Sequence, residues 1–205
     1  SMGSGHILVY SFEVIYKAYE LKGWTPKEAV LSILKNNLFG LEIDDRAAQL
    51  ASFALIMTAR SKYNRLFKSL ENEAIKLNTL SIQESNEIDL YLLDLIRDNN
   101  LNELYYLIDT YKDAKEYGSL IKVRELNLEK IEEQLHKLNS LDMVTFPQFK
   151  DIFDNLIYQA RIMAQKYDVT VTNPPYMGNA RLNEKLKKFV QMEFPETKTD
   201  LFAMF

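Results

Sequence analysis

Apolar positions recur at helical spacing from Ile7 to Leu21, with Leu8, Phe12, Ile15 and Tyr19 on one face. Thr25-Pro26-Lys27-Glu28 has the form of a capping box with Pro at the first helical position, and predicts a helix to about Lys35. The run Leu38 to Ile43 is short, apolar and ends in acid, which predicts a buried strand. Asp44 or Asp45 then caps a helix from Arg46 to about Ser61, whose Met and aromatic positions read as core. Leu77 to Ile82 is a second candidate strand. From about Asn86 to Lys166 the pattern is almost wholly helical, in roughly four segments with breaks near Asn99, Gly118 and Pro147. Asp168-Val169-Thr170-Val171-Thr172, β-branched at most positions, predicts a third strand.

Strand, helix, strand, a long helical stretch and a strand argue for an α/β fold with a parallel sheet and helices on its faces. The helical stretch is too long for an ordinary crossover, so residues 86–160 read as an inserted helical subdomain between 2–85 and 161–205. Alternating charges from Glu125 to Lys137 read as a solvated helix face. Ser1 ahead of Met2 reads as vector-derived. A Gly-rich turn normally follows a strand, and Asp200 to Phe205 reads as a helix start, so the expectation is a fragment of a longer protein.

Composition narrows the chemistry. The 205 residues hold no Cys, which excludes disulfides, thiolate metal sites and a cysteine nucleophile, and the two His cannot make a three-His zinc site. His6 and His136 read as packed or solvated side chains, and no metal is expected. A net charge of −4 gives no whole-chain basic footprint for nucleic acid. No apolar run is long enough to span a bilayer, so no membrane partner is expected and a soluble, intracellular protein is.

Two motifs sit at the ends of predicted strands, where open α/β sheets bind ligands. Asn173-Pro174-Pro175-Tyr176 follows the third strand, and arises by chance in about one chain in a thousand of this length. The Pro pair stiffens an extended backbone and removes two N–H donors, leaving carbonyls to point outward. Asn adds a side-chain acceptor and Tyr a face for stacking, a combination that suits an exocyclic amino group on a planar ring. A Pro-rich turn with a buried Tyr is the plain alternative. The second motif is Gly3-Ser4-Gly5 with Glu42. The glycines allow close backbone approach at a helix N-terminus, and Glu42 stands where an acid accepts ribose hydroxyls. A vector-derived Gly-Ser-Gly is the alternative here.

Gly3-Ser4-Gly5, Phe39-Gly40-Leu41-Glu42-Ile43-Asp44 and Asn173-Pro174-Pro175-Tyr176 together resemble the S-adenosylmethionine-dependent amino-methyltransferases that make N6-methyladenine in DNA. The longer strings Met2 to Leu8, Asn37 to Asp44, Arg46 to Ala51 and Lys198 to Phe205 resemble the PglX-like adenine methyltransferases of BREX phage-defence systems and the related type IIG restriction–modification enzymes. The resemblance implies a partial class I, Rossmann-like methyltransferase sheet carrying a large helical insertion. It implies S-adenosylmethionine as cofactor, double-stranded DNA as partner and a bacterial or archaeal cytoplasm. Gly3, Ser4 and Gly5 would line the methionine moiety, with Glu42 on the ribose and Ile43 against the adenine. Asn173 and the Pro174 carbonyl would accept hydrogen bonds from the target amino group, Pro175 would hold the turn, and Tyr176 would stack on the flipped base. Gln83 or Glu84 is the nearest candidate for the family's acid at the cofactor's adenine. The family's first strand and the acid-Pro pair ahead of Met2 are missing, so this fragment is expected to be inactive alone, and to self-associate or pack loosely there.

Two other readings stay open. Glutamine N5-methylation of a protein suits the same Asn-Pro-Pro-Tyr pocket. A non-catalytic helical module binding nucleic acid through Lys185, Lys187, Lys188 and Lys198 is the other, although Glu184, Glu193 and Glu196 dilute that patch. Glu196-Thr197-Lys198 lacks the strand and paired Asp of a nuclease motif.

Overall fold

A computed structural model describes residues 2–172 and 183–193. They divide into two units, 2–82 with 170–172, and 83–169 with 183–193. In the first, helix α1 (His6–Leu21) forms as its periodicity predicts, burying Leu8 and Phe12 with Ile15 and Tyr19 at the rim of the core. The capping box is complete. Thr25 Oγ1 accepts the Glu28 N–H at 3.3 Å, and the Glu28 carboxylate accepts the Thr25 N–H at 3.0 Å. The ring of Trp24, the one Trp in the sequence, lies 4.4 Å from that of Tyr19.

Helix α2 (Pro26–Ser32) widens into a π-helical turn, Ile33–Asn37, before the chain turns extended at Leu38. Asn78 Nδ2 reaches this turn, donating to the carbonyls of Leu34 at 3.2 Å and Lys35 at 2.9 Å. The turn delivers the chain into strand β1 (Gly40–Glu42), which pairs in parallel with β2 (Thr79–Ser81), Glu42 opposite Ser81. Both strands lie inside the predicted runs and are shorter. A parallel pair needs a crossover, and α3 (Asp45–Lys62) with α4 (Leu66–Asn72) supplies it. Asp44 is the cap of α3, its Oδ1 accepting the Ala47 N–H at 2.7 Å.

Two expectations fail here. Helix α3 buries Ala48, Ala51, Leu55 and Ala59, while Leu50, Phe53 and Met57 are exposed, so its Met and aromatic positions are not core. Where α1 starts, at Gly5, the inner face of α3 carries the small side chain of Ala51. No strand forms at Asp168–Thr172, and Val169 and Val171 are both exposed. Without a buried face, β-branched residues have nothing to pack on, and no strand among the described residues pairs with this segment. The observed fold is therefore a helix-rich α/β arrangement with a small parallel sheet.

The second unit is helical: α5 (Leu90–Asp98), α6 (Asn102–Thr110), the single turn α7 (Ala114–Tyr117), α8 (Leu128–Leu141), α9 (Phe146–Ala164) and α10 (Glu184–Glu193). Breaks fall near Asn99, Gly118 and Pro147 as predicted. Pro147 itself occupies the first turn of α9, where its missing N–H has no intrahelical partner to lose. The break lies ahead of it, where Asp142 Oδ1 accepts the Thr145 N–H at 2.7 Å. The charge run does lie on a solvated face, with Glu129, Lys130, Glu132 and Glu133 exposed and Ile131, Gln134 and Leu138 buried. Gln134 Oε1 accepts the N–H groups of Glu103 at 2.9 Å and Leu104 at 3.2 Å, so a side chain of α8 caps α6. Arg124 Nη2 meets the buried Glu103 carboxylate at 2.7 Å and its guanidinium lies over the Tyr106 ring. Leu186 and Val190 seat α10, Phe189 stacks on Tyr117, and Lys185 pairs with Asp113 at 3.2 Å.

Candidate functional site

The site is assembled where the N-terminal turn meets the end of β1. Alternation along a strand turns Gly40 and Glu42 toward β2, with the Gly40 N–H on the Asn78 carbonyl at 2.9 Å and the Ile82 N–H on the Glu42 carbonyl at 2.8 Å. Leu41 faces the opposite edge, and its carbonyl accepts the Met2 N–H at 3.0 Å. That bond draws the Gly-rich turn against β1. Gly40 is the residue that lets it close: a Cβ there would lie 2.5 Å from Met2 Sδ. Sequence reading missed this role of Gly40, although a glycine inside a predicted buried strand is itself a signal of close approach.

The turn then places Gly3 beside the acid. The Gly3 N–H donates to Glu42 Oε2 at 2.8 Å, while Glu42 Oε1 accepts the N–H groups of Ile43 at 3.0 Å and Asp44 at 3.4 Å. Glu42 is only 6% exposed, so these donors stabilise a carboxylate largely removed from water. Gly3 has φ +52° and nothing within 4 Å of the position a Cβ would take, leaving open space over the turn. Gly5 is different. It precedes α1 at φ +91°, and a Cβ there would lie 2.7 Å from the Ala51 Cα, so its absence lets α1 and α3 pack closely. No side chain caps the N-terminus of α1, so its first N–H groups are not taken up by a cap. Ser4 Oγ lies 2.9 Å from His6 Nδ1, and His6 is exposed. Ile43, immediately beyond Glu42, is about half exposed.

Of the residues singled out from the sequence, Gly3, Glu42 and Ile43 are thus brought together, with Ser4 and Gly5 in the same turn. Asn173, Pro174, Pro175 and Tyr176 lie outside the described residues, as do Lys198, the segment 196–198 and the run 200–205. Gln83 and Glu84 belong to the second unit. The Gln83 N–H donates to Gln159 Oε1 at 2.8 Å and its carbonyl accepts from Gln159 Nε2 at 2.9 Å, so the buried Gln159 amide pairs with it as a strand would. Glu84 Oε1 accepts the Lys115 N–H at 2.9 Å. Among the described residues no cluster of three His, Asp or Glu could hold a metal ion, and no helix is long and apolar enough to cross a membrane.

Set beside known proteins, residues 36–205 match the family described as Eco57I restriction-modification methylase. The adenine-specific methyltransferase BrxX of Escherichia coli O9:H4 (strain HS) is 36% identical over 230 residues, covering 99% of this chain and 19% of that protein. The adenine-specific methyltransferase PglX of Lacticaseibacillus casei (strain Zhang) is 32% identical over 212 residues, covering 100% of this chain and 17% of that protein. The chain thus spans about a fifth of the length of the curated relatives it matches.

Proposed function

The chain belongs to the Eco57I restriction-modification methylase family, and from that premise we propose that it is part of an S-adenosylmethionine-dependent enzyme that methylates the N6 amino group of adenine in DNA. The resemblance to PglX-like enzymes assigns the reaction to phage defence. The observation that carries the reading is the buried Glu42 carboxylate held at the end of β1 beside the Gly3 N–H. An acid so placed, next to a turn with open space above Gly3 and an uncapped helix N-terminus, fits a ligand with ribose hydroxyls and an anionic tail. In this reading β1 and β2 are neighbouring strands of a Rossmann-like sheet, and the helices of the second unit are an insertion in it.

Glu42 accepts the ribose hydroxyls, the N–H groups at the start of α1 receive the carboxylate of the methionine moiety, and Ile43 covers one face of the adenine. When bound, the cofactor supplies a methyl group already activated on a sulfonium. Asn173 and the Pro174 carbonyl hold the target amino group by its two protons, which turns the nitrogen lone pair toward the methyl carbon. Tyr176 stacks on the extruded base. Neither a metal nor a covalent nucleophile has a role in these steps.

Calorimetric titration of S-adenosylmethionine into the 205-residue chain tests the cofactor half of the proposal. Saturable heat that Glu42→Gln weakens about tenfold or more is the expected result. Binding that is indifferent to Glu42→Gln would remove this residue from the site. The catalytic half is tested in the full-length polypeptide, where Asn173→Ala should slow DNA methylation at least about tenfold, by loss of hydrogen bonds that strengthen as the nitrogen gains charge. An unchanged rate would overturn the role given to Asn173.

A further inference from the structure

The outer face of α3 repeats in a way the first unit does not use. Arg46, Leu50, Phe53, Met57 and Arg60 follow one another at intervals of four, three, four and three residues, the spacing that keeps side chains in one line along a helix. Leu50, Phe53 and Met57 are 54%, 62% and 47% exposed, although the helix already buries its core face through Ala48, Ala51, Leu55 and Ala59. Three large apolar side chains in a row on a solvated helix face are the mark of an interaction surface rather than scattered exposure. A cation stands at each end of the row. Among the described residues Arg46 and Arg60 have no ion-pair partner, and the Arg60 guanidinium donates to the neutral Asn64 side chain at 2.6 Å. The nearby acids are engaged elsewhere, Asp44 on the Ala47 N–H and Asp45 on the Ser81 hydroxyl.

We infer that this seam docks an amphipathic helix of a partner protein, apolar at the same spacing and acidic at both ends. The charges also decide against a second copy of this chain through the same face. Antiparallel pairing of two α3 helices would set Arg46 against Arg60, and parallel pairing would set each arginine against its own counterpart, so both arrangements bring like charges together. Nucleic acid fits poorly as well, because three apolar side chains fill the space between the two cations. A helix with leucine or methionine along its seam and glutamate or aspartate at its ends meets every group on the face.

The probe is a pair of dye-labelled synthetic helical peptides, matched to α3 in length, with leucines at the seam positions and either glutamates or lysines at both ends. Fluorescence anisotropy against the full 205-residue chain at low salt should show the glutamate-ended peptide binding about tenfold tighter, with that preference shrinking as salt is raised. Phe53→Ser should weaken the glutamate-ended peptide about tenfold. The double change Arg46→Glu with Arg60→Glu should transfer the preference to the lysine-ended peptide, a gain that a misfolded variant could not give. Equal binding of the two peptides, binding of neither, or a preference that the double change leaves in place would overturn the inference. So would a doubling of the chain's own mass in sedimentation that Phe53→Ser abolishes, because the occupant would then be a second copy.

Discussion

Gly3 and Gly5 occupy one short motif and answer to different constraints. Gly5 is fixed by packing, since a Cβ would strike the Ala51 backbone, and also by its φ of +91°. Gly5→Ala should therefore destabilise the first unit by about 2–3 kcal/mol, read as a lowered urea midpoint. Gly3 has room for a side chain and only its φ of +52° opposes one, so Gly3→Ala should destabilise by about 1 kcal/mol. In the proposed function its larger effect falls on S-adenosylmethionine affinity, because the added methyl enters the open space beside Glu42. The sequence shows the motif but not this division of labour, because the clash at Gly5 depends on which helix crosses it. The pairing of Gly3 with Glu42, separated by 39 positions, was legible because each residue type sits where a strand end and a helix start are predicted. The close approach of the Met2 side chain to Gly40 was not, since nothing in the local pattern says what lies across a strand.

Among the elements, those with local signals were legible and those that depend on neighbours were not. Thr25-Pro26-Lys27-Glu28 specifies a helix start by itself, and Thr25→Ala should lower stability by about 1 kcal/mol in denaturant unfolding. Helix α3 misled because apolar residues occupy both faces, and the packed face is the one with Ala48, Ala51, Leu55 and Ala59. Residues 168–172 misled because β propensity is a preference for a pleated, half-buried surface, and Val169 and Val171 have none. In the second unit, Arg124→Ala would leave the nearly buried Glu103 carboxylate without its cation. A loss of about 1–2 kcal/mol is expected, below the value for a fully buried pair because the Arg124 side chain is about half exposed. The seating of α10 should depend on pH. The Lys185 ammonium beside Asp113 holds its carboxyl below the ordinary aspartate value, and Asp113 in turn holds the Lys185 ammonium above the ordinary lysine value. A carboxyl lowered in the folded state contributes stability above its unfolded pKa and loses it as pH falls, while a raised lysine loses its contribution only in strong alkali. The protection of α10 amides, taken relative to their intrinsic exchange rates, should thus be flat across neutral pH and fall below about pH 4. In Lys185→Ala that acid-side fall should be diminished.

At the scale of the whole molecule, two units share one chain of 205 residues, and the chain matches relatives about five times as long. The long helical run from about Asn86 to Lys166 was legible from its apolar pattern, which needs no knowledge of what lies across it. Trp24, the single indole of the chain, rests on Tyr19 in the first unit. Its emission is therefore a built-in optical probe of that unit, whereas far-ultraviolet ellipticity sums over the helices of both. One denaturation followed by the two signals would measure how many cooperative transitions the chain has: coincident midpoints mark one, and a displaced emission curve gives the first unit a stability of its own.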